Sequence, residues 1–106
     1  MKVKVKFKRI KHLYGLWDWG EKTIVISTIK NKTINDYIDT FIHETLHATF
    51  PKLDEEKIFS LASKLSQKKD FQIFALKHLF LSFIKKNYSF STSSFKKLLK
   101  NKRKKI

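Results

Sequence analysis

The chain contains the pattern His43-Glu44-Thr45-Leu46-His47, which combines two imidazoles with a carboxyl group. On a helix, residues four apart lie one turn above each other on the same face. Two imidazoles placed in this way can both bind one tetrahedral zinc ion, and the glutamate between them lies beside the metal, where it can hold a water molecule. The pattern therefore predicts a hydrolytic zinc site, with His43 and His47 as metal ligands and Glu44 as the catalytic residue.

The two histidines fall on the polar side of the helix that this part of the sequence predicts. At about 100° per residue, the apolar positions cluster within about 80° of the direction of Ile34, whereas His43 and His47 lie on the opposite stripe. A histidine that packs in a core would lie on the apolar side, so this position favours a metal site. The alternative is that both are ordinary solvated side chains.

A hydrolytic zinc site needs a third protein ligand, and the next acidic residues are Glu55 and Glu56. Asp54 is a good N-cap, so the pair falls in the first turn of the following helix. Glu55 lies closer to the apolar stripe of that helix and is the favoured ligand, with Glu56 as the alternative. Without a metal, both carboxylates would simply interact favourably with the helix dipole.

The remaining pattern predicts an α+β fold, in which a small three-stranded sheet precedes the helices. Alternation of lysine with Val or Phe over residues 2–8 indicates a strand with one buried face. Further strands are predicted over 12–18 and 23–29, and helices from about 34 to Pro51, from Asp54 and from about 70 to 86. We expect a minimal domain over 1–90, a Ser-rich linker over 87–94 and a basic tail or helix over 91–106.

Composition limits the function classes. The 106 residues include 24 Lys or Arg against 9 Asp or Glu, a net charge of +15, and no cysteine. The absence of cysteine excludes a disulfide scaffold, cysteine-ligated zinc and a cysteine nucleophile. The positive charge makes a basic nucleic-acid-binding module, in which the His-Glu-x-x-His pattern is structural or accidental, the alternative function. No signal peptide and no membrane span are predicted, so we expect a cytoplasmic protein.

Residues 71–84 are apolar nearly all round the helical wheel and must be covered on several sides. They are interpreted either as a central core helix or as the contact of a homo-oligomer. Docking on a membrane surface, aided by flanking lysines, is the third interpretation.

A stretch of the chain from about residue 13 to 66 resembles a known family. The pattern His43-Glu44-x-x-His47, followed by Phe50-Pro51-x-Leu53-Asp54-Glu55-Glu56 and preceded by Gly15-Leu16-x-Asp18 and Ile24-x-Ile26, is similar to the gluzincin metallopeptidases. More narrowly it resembles the minigluzincins, small soluble proteins similar to the catalytic domains of integral-membrane metallopeptidases.

The resemblance implies a zincin-like fold, with a three-stranded sheet above an active-site helix and a glutamate helix beside it. It also implies a zinc-dependent endopeptidase, often latent because a C-terminal segment covers the cleft. The last upper strand would bind an extended substrate by edge pairing. In this chain that strand would be formed by Thr23, Ile24, Val25, Ile26 and Ser27.

The mechanism expected on this basis has Zn²⁺ held by His43, His47 and Glu55, with Glu44 carrying the proton from the attacking water to the leaving amine. An oxyanion-stabilising side chain is usual in such chemistry. The candidates are His12, Tyr37, His78 and Tyr88, and the sequence does not select among them.

Overall fold

The computed structural model describes residues 1–104, with side chains described as far as residue 101. Four strands and four helices follow in the order β1 (Lys2–Lys8), β2 (Gly15–Asp18), β3 (Thr23–Ser27), α1 (Ile34–Thr49), α2 (Glu55–Leu65), α3 (Lys69–Ile84), β4 (Ser89–Ser91) and α4 (Thr92–Lys104). The predicted α+β class is confirmed.

The strands form one sheet in the order β2-β3-β1-β4. β1 pairs in parallel with β3 and antiparallel with β4, while β2 pairs antiparallel with β3. Val3 and Val5 point from β1 into the core and its lysines point to solvent, as the alternation predicts. α1 and α3 pack on the sheet, α2 packs on α1, and the lysines of β1 form a row on the solvent-facing side of the sheet.

The sheet has one strand more than predicted. Residues 87–94 were expected to form a linker because of their serines, but Ser89–Ser91 is the strand β4. Phe90, which points into the core and is 5% exposed, pairs with Val3 of β1. One buried aromatic residue between two serines is too short a pattern to identify a strand from the sequence. The strand forms because it pairs with β1, which is distant in the chain.

The helix α1 begins and ends at residues with clear local reasons. Thr33 caps its N-terminus by accepting a hydrogen bond of 3.1 Å from the backbone N–H of Asp36, whose carboxylate in turn accepts from the backbone N–H of Thr33. This reciprocal pair is a capping box. The helix ends at Thr49 because Pro51 cannot continue the hydrogen-bond ladder.

The core lies between the sheet and the helices and extends into the C-terminal segment. Phe41 of α1, Phe71 of α3 and Phe95 of α4 are completely buried. The ring of Phe95 packs against those of Phe71 and Phe74, with 5.8 Å and 5.6 Å between the ring centroids. The basic segment predicted over 91–106 thus includes the end of β4 and the helix α4, whose first turn contributes to the core, while residues 105–106 lie outside the described part of the chain. Among residues 1–104, no helix has the length and apolar character needed to cross a membrane.

Candidate metal centre

The helix α1 carries both predicted histidine ligands on one face. The rings of His43 and His47 lie 5.1 Å apart between centroids, and their side chains are 17% and 25% exposed. This spacing follows directly from the helix, because residues four apart are neighbours on its surface. Both imidazoles are accessible from solvent while their helix packs against the core.

The first turn of α2 supplies the carboxylate. Asp54 caps this helix by accepting a hydrogen bond of 2.8 Å from the backbone N–H of Lys57. Oε1 of Glu55 lies 2.6 Å from Nε2 of His43, and Oε2 lies 2.9 Å from Nε2 of His47. Glu55, and not Glu56, is the acidic residue that the described structure groups with the two histidines.

The donor set fits a zinc ion. One ligand atom from each of the three residues lies within 4.8 Å of the other two. A tetrahedral ion with bonds of about 2.0–2.2 Å holds its ligand atoms roughly 3.3 Å apart, so the Glu55 carboxylate would have to withdraw by less than about 1 Å from each ring. The Glu55 side chain is 69% exposed and is free to make this movement. Two imidazoles and one carboxylate are a ligand set of hydrolytic zinc sites, in which water or substrate takes the fourth position.

Glu44 lies beside this group in a much drier environment. It is 8% exposed, and burial, with the negative charge of Glu55 as a second cause, raises the pKa of its carboxyl group to about 7. A carboxyl group that titrates near neutrality can both accept and return a proton. Glu44 therefore lies beside the three residues as a buried carboxyl group whose charged form is disfavoured by burial and by the charge of Glu55.

A cavity of about 810 Å³ opens over these side chains. One wall comes from β2 and its flanking loops, and the floor comes from α1 and the start of α2. Its lining is apolar on the β2 side and acidic on the α1 side. The lining residues are Leu13, Tyr14, Gly15, Leu16, Trp17, Trp19, Asp36, Asp39, Thr40, His43, Glu44, His47, Glu55 and Phe59. All of them precede residue 60, so no described residue of α4 lies over the cavity.

Two features hold β2 close to α1 above the site. A Cβ added at Gly15 would lie 2.7 Å from Cγ2 of Thr40 and 3.5 Å from Cγ of Glu44, so only glycine permits this approach. Asn31, which is 3% exposed, donates to the carbonyl oxygen of Tyr14 at 2.9 Å and accepts from the hydroxyl of Thr40 at 2.7 Å. The strand edge is thereby fixed over the helix turn that carries Glu44.

The predicted pairing of a substrate with the edge of the strand Thr23–Ser27 is wrong. This strand is β3, and β1 and β2 pair with its two edges, so neither edge is free to add a peptide. All five of its residues are buried. The edge strand beside the candidate centre is β2, which was predicted as a strand but not as the cavity wall. A glycine inside a strand, Gly15, was the sequence signal for close backbone approach there.

None of the four predicted oxyanion-stabilising candidates lines the cavity. His78 and Tyr88 instead hydrogen-bond to each other at 2.7 Å, with His78 buried in the core. Among the described residues, the one buried side-chain nitrogen or oxygen without a hydrogen-bond partner is Nε1 of Trp17, in the cavity wall. The ring of Trp19, which also lines the cavity, packs edge-on against that of Trp17 with 5.2 Å between the ring centroids.

Comparisons of this chain with protein families, with curated proteins and with solved structures find no match.

Proposed function

We propose that this chain is a zinc-dependent metallopeptidase. The observation that carries the proposal is the grouping of His43, His47 and Glu55, with ligand atoms within 4.8 Å of one another, in a cavity that Glu44 also lines. Four residues from two helices, with the types that zinc hydrolysis uses, face one solvent-accessible space. The resemblance of the surrounding sequence to the gluzincins supports the same assignment.

Each residue has a defined part in this proposal. His43 and His47 would bind zinc through Nε2, the atoms that face Glu55, and Glu55 would bind it through its carboxylate. When bound, zinc would lower the pKa of a coordinated water and polarise the scissile carbonyl. Glu44 would take the proton of the attacking water and deliver it to the leaving amine as the C–N bond breaks. The water thus supplies both the new C–O bond and the proton on the product amine.

The free edge of β2 is the proposed place for the substrate backbone. An extended peptide could add to Gly15–Asp18 as a further strand, with main-chain hydrogen bonds that do not depend on its sequence. The apolar wall, which includes Leu13, Tyr14 and Trp19, would contact substrate side chains. Latency through a covering C-terminal segment has no support among the described residues, because the lining residues all precede residue 60.

The first experiment measures zinc per chain in the purified protein. We expect one tightly bound zinc, which His47→Ala loses and Glu44→Gln retains. Glu55→Gln and Glu56→Gln form a matched pair, because the charge change is the same and only Glu55 contacts the histidines. Loss of zinc in the Glu55 variant alone would support the assigned ligand set. Failure of the wild-type chain to bind added zinc would overturn the proposal.

The second experiment measures cleavage of an unstructured protein substrate by the zinc-loaded chain. We expect cleavage that a chelator removes and that Glu44→Gln abolishes, although this variant still binds zinc. Cleavage that survives Glu44→Gln would contradict the assigned role of Glu44.

A nucleic-acid-binding module remains the second candidate, supported by one observation. Lys2, Lys4, Lys6 and Lys8 are all exposed on the outer face of the sheet. Such a row would bind a polyanion with an affinity that falls steeply as salt increases. Glu44→Gln would leave this binding unchanged, whereas Lys4→Glu with Lys6→Glu would remove it.

A further inference from the structure

The helix α3 leaves a continuous apolar stripe uncovered. Phe71, Ala75, His78 and Leu79 are buried against the rest of the fold. On the other side, five large apolar residues lie within a sector of about 100° at the angular step of an α-helix. They are Ile73, Leu76, Phe80, Phe83 and Ile84, with exposed fractions of 58%, 41%, 64%, 77% and 55%.

The stripe extends beyond the helix at one end. The ring of Phe83 contacts that of Phe7 at 6.0 Å, so the last turn of α3 joins the end of β1 in one apolar surface. A contiguous exposed apolar surface of this kind marks a site of protein or membrane contact, because leaving apolar side chains in water is unfavourable.

Positive charges lie at both ends of this stripe and along one side of it. Lys69, which is exposed, lies at the N-terminal end of the helix within the angular range of the stripe, and the exposed Lys77 lies about 20° outside that range, beyond Ile84. Lys85 and Lys86, also exposed, follow the last turn. The helix carries one acidic residue, Asp70, at its N-terminal end, and the whole chain has a net charge of +15. An apolar stripe with lysines at its ends and along one side complements a lipid surface, which has an apolar interior and anionic headgroups.

We propose that this face of α3 docks on an anionic lipid bilayer, with the helix lying in the plane of the interface. The aromatic and aliphatic side chains would enter the boundary between headgroups and acyl chains, and the lysines would contact the anionic headgroups. This docking uses a surface separate from the cavity and does not require the metal centre.

The charges favour a bilayer over a second copy of the chain. Lys77 lies next to the midpoint of α3, which spans residues 69–84. If α3 paired with its copy about a two-fold axis near that midpoint, or in parallel register, the two Lys77 side chains would approach each other. Two surfaces of the same sign oppose association, whereas an anionic bilayer attracts both.

Vesicle co-sedimentation of the full chain tests the proposal. We expect binding to vesicles of phosphatidylcholine mixed with phosphatidylglycerol, and at least about tenfold weaker partitioning to phosphatidylcholine alone. Phe80→Ser with Phe83→Ser should reduce binding by about 100-fold or more, since each change removes a side chain that would be buried in the interface. Because both residues are exposed, the variant should keep the wild-type circular dichroism spectrum and melting temperature. Phe59→Ser, at a residue 68% exposed outside the stripe, is the matched control and should bind as the wild type does.

A charge-matched pair of variants separates docking of this face from general attraction of a basic protein. Lys69→Glu with Lys77→Glu should weaken binding to the anionic vesicles by at least about tenfold. Lys4→Glu with Lys6→Glu changes the net charge equally but lies on the outer face of the sheet, and should have a much smaller effect. Equal losses in the two pairs would overturn the proposal.

A second outcome would also overturn it. If light scattering shows a mass that rises to a dimer with concentration, if Phe80→Ser with Phe83→Ser abolishes this rise, and if no vesicle binding occurs, the stripe is an interface between copies of the chain.

Discussion

Replacing His78 with glutamine should change how the stability of the fold depends on pH. His78 is 6% exposed and lies among the rings of Phe41, Phe74 and Phe90, with its Nδ1 sharing a hydrogen bond with the hydroxyl of Tyr88. Burial, and secondly the positive charge of Lys77, lowers the pKa of His78 from 6.5 to about 4. The folded protein therefore keeps this imidazole neutral over a range in which the unfolded chain protonates it.

The sign follows from proton binding. His78 becomes protonated below about pH 6.5 in the unfolded chain but only below about pH 4 in the folded protein. Because the unfolded state binds more protons between these two pH values, the free energy of unfolding falls as pH decreases from 6.5 to 4. At about pH 5 the penalty is roughly 2 kcal/mol relative to about pH 8, where both states are neutral. That is a large part of the 5–15 kcal/mol expected for a domain of ordinary stability.

Urea unfolding of the zinc-free protein at several pH values measures the contribution of His78 to the free energy of unfolding. Glu44, whose pKa of about 7 lies above its ordinary value, acts in the opposite direction over the same range. The wild type is therefore compared with His78→Gln, in which the contribution of Glu44 is unchanged. The wild type should lose about 2 kcal/mol more than the variant between about pH 8 and pH 5. His12→Gln, at an exposed histidine, should match the wild type.

Equal pH dependence in the wild type and His78→Gln would refute the reasoning. It would mean that the folded state accepts an imidazolium at this position, with attraction to the surrounding ring faces replacing the lost hydration.

Three further changes test the packing that positions the site. Gly15→Ala adds a Cβ 2.7 Å from Cγ2 of Thr40 and should lower the free energy of unfolding by about 1–3 kcal/mol. Gly20→Ala, whose nearest contact is at 3.4 Å, should change it little in the same urea titration. Phe95→Ala should cost about 3–5 kcal/mol by thermal unfolding, because this completely buried ring joins α4 to the core. A value below about 1 kcal/mol would mean that α4 does not support the fold. Thr33→Ala should cost about 1 kcal/mol through loss of the N-cap of α1, and Thr33→Asn should restore most of it in the same assay.

Much of the local structure could be predicted from short-range pattern. The alternation of residues 2–8 predicts β1 and its buried face, and the capping residue Asp54 predicts where α2 begins. The placement of His43 and His47 on one face was also predictable, because it depends only on the helix between them. The preference for Glu55 over Glu56 agrees with the grouping in the structure, although the helical wheel alone left both open.

Strand order could not be predicted in the same way. The sequence indicates that Thr23–Ser27 is a strand, but its apolar character fits either an edge or an interior strand. In the structure this strand lies between β1 and β2, so it has no free edge to pair with a substrate, and β2 forms the cavity wall instead. The role of Ser89–Ser91 likewise depended on pairing with β1, which is more than 80 residues away in the chain.

The sequence by itself determined the first three strands and the first three helices, and it placed His43, Glu44 and His47 together, because these features depend on contacts within one or two turns of chain. The tertiary structure decided which strand faces the cavity, whether the C-terminal segment joins the core and which side of α3 stays exposed. These depend on pairings between segments far apart in the chain, where several arrangements bury similar apolar surface. Only the combined packing of all elements selects one of them.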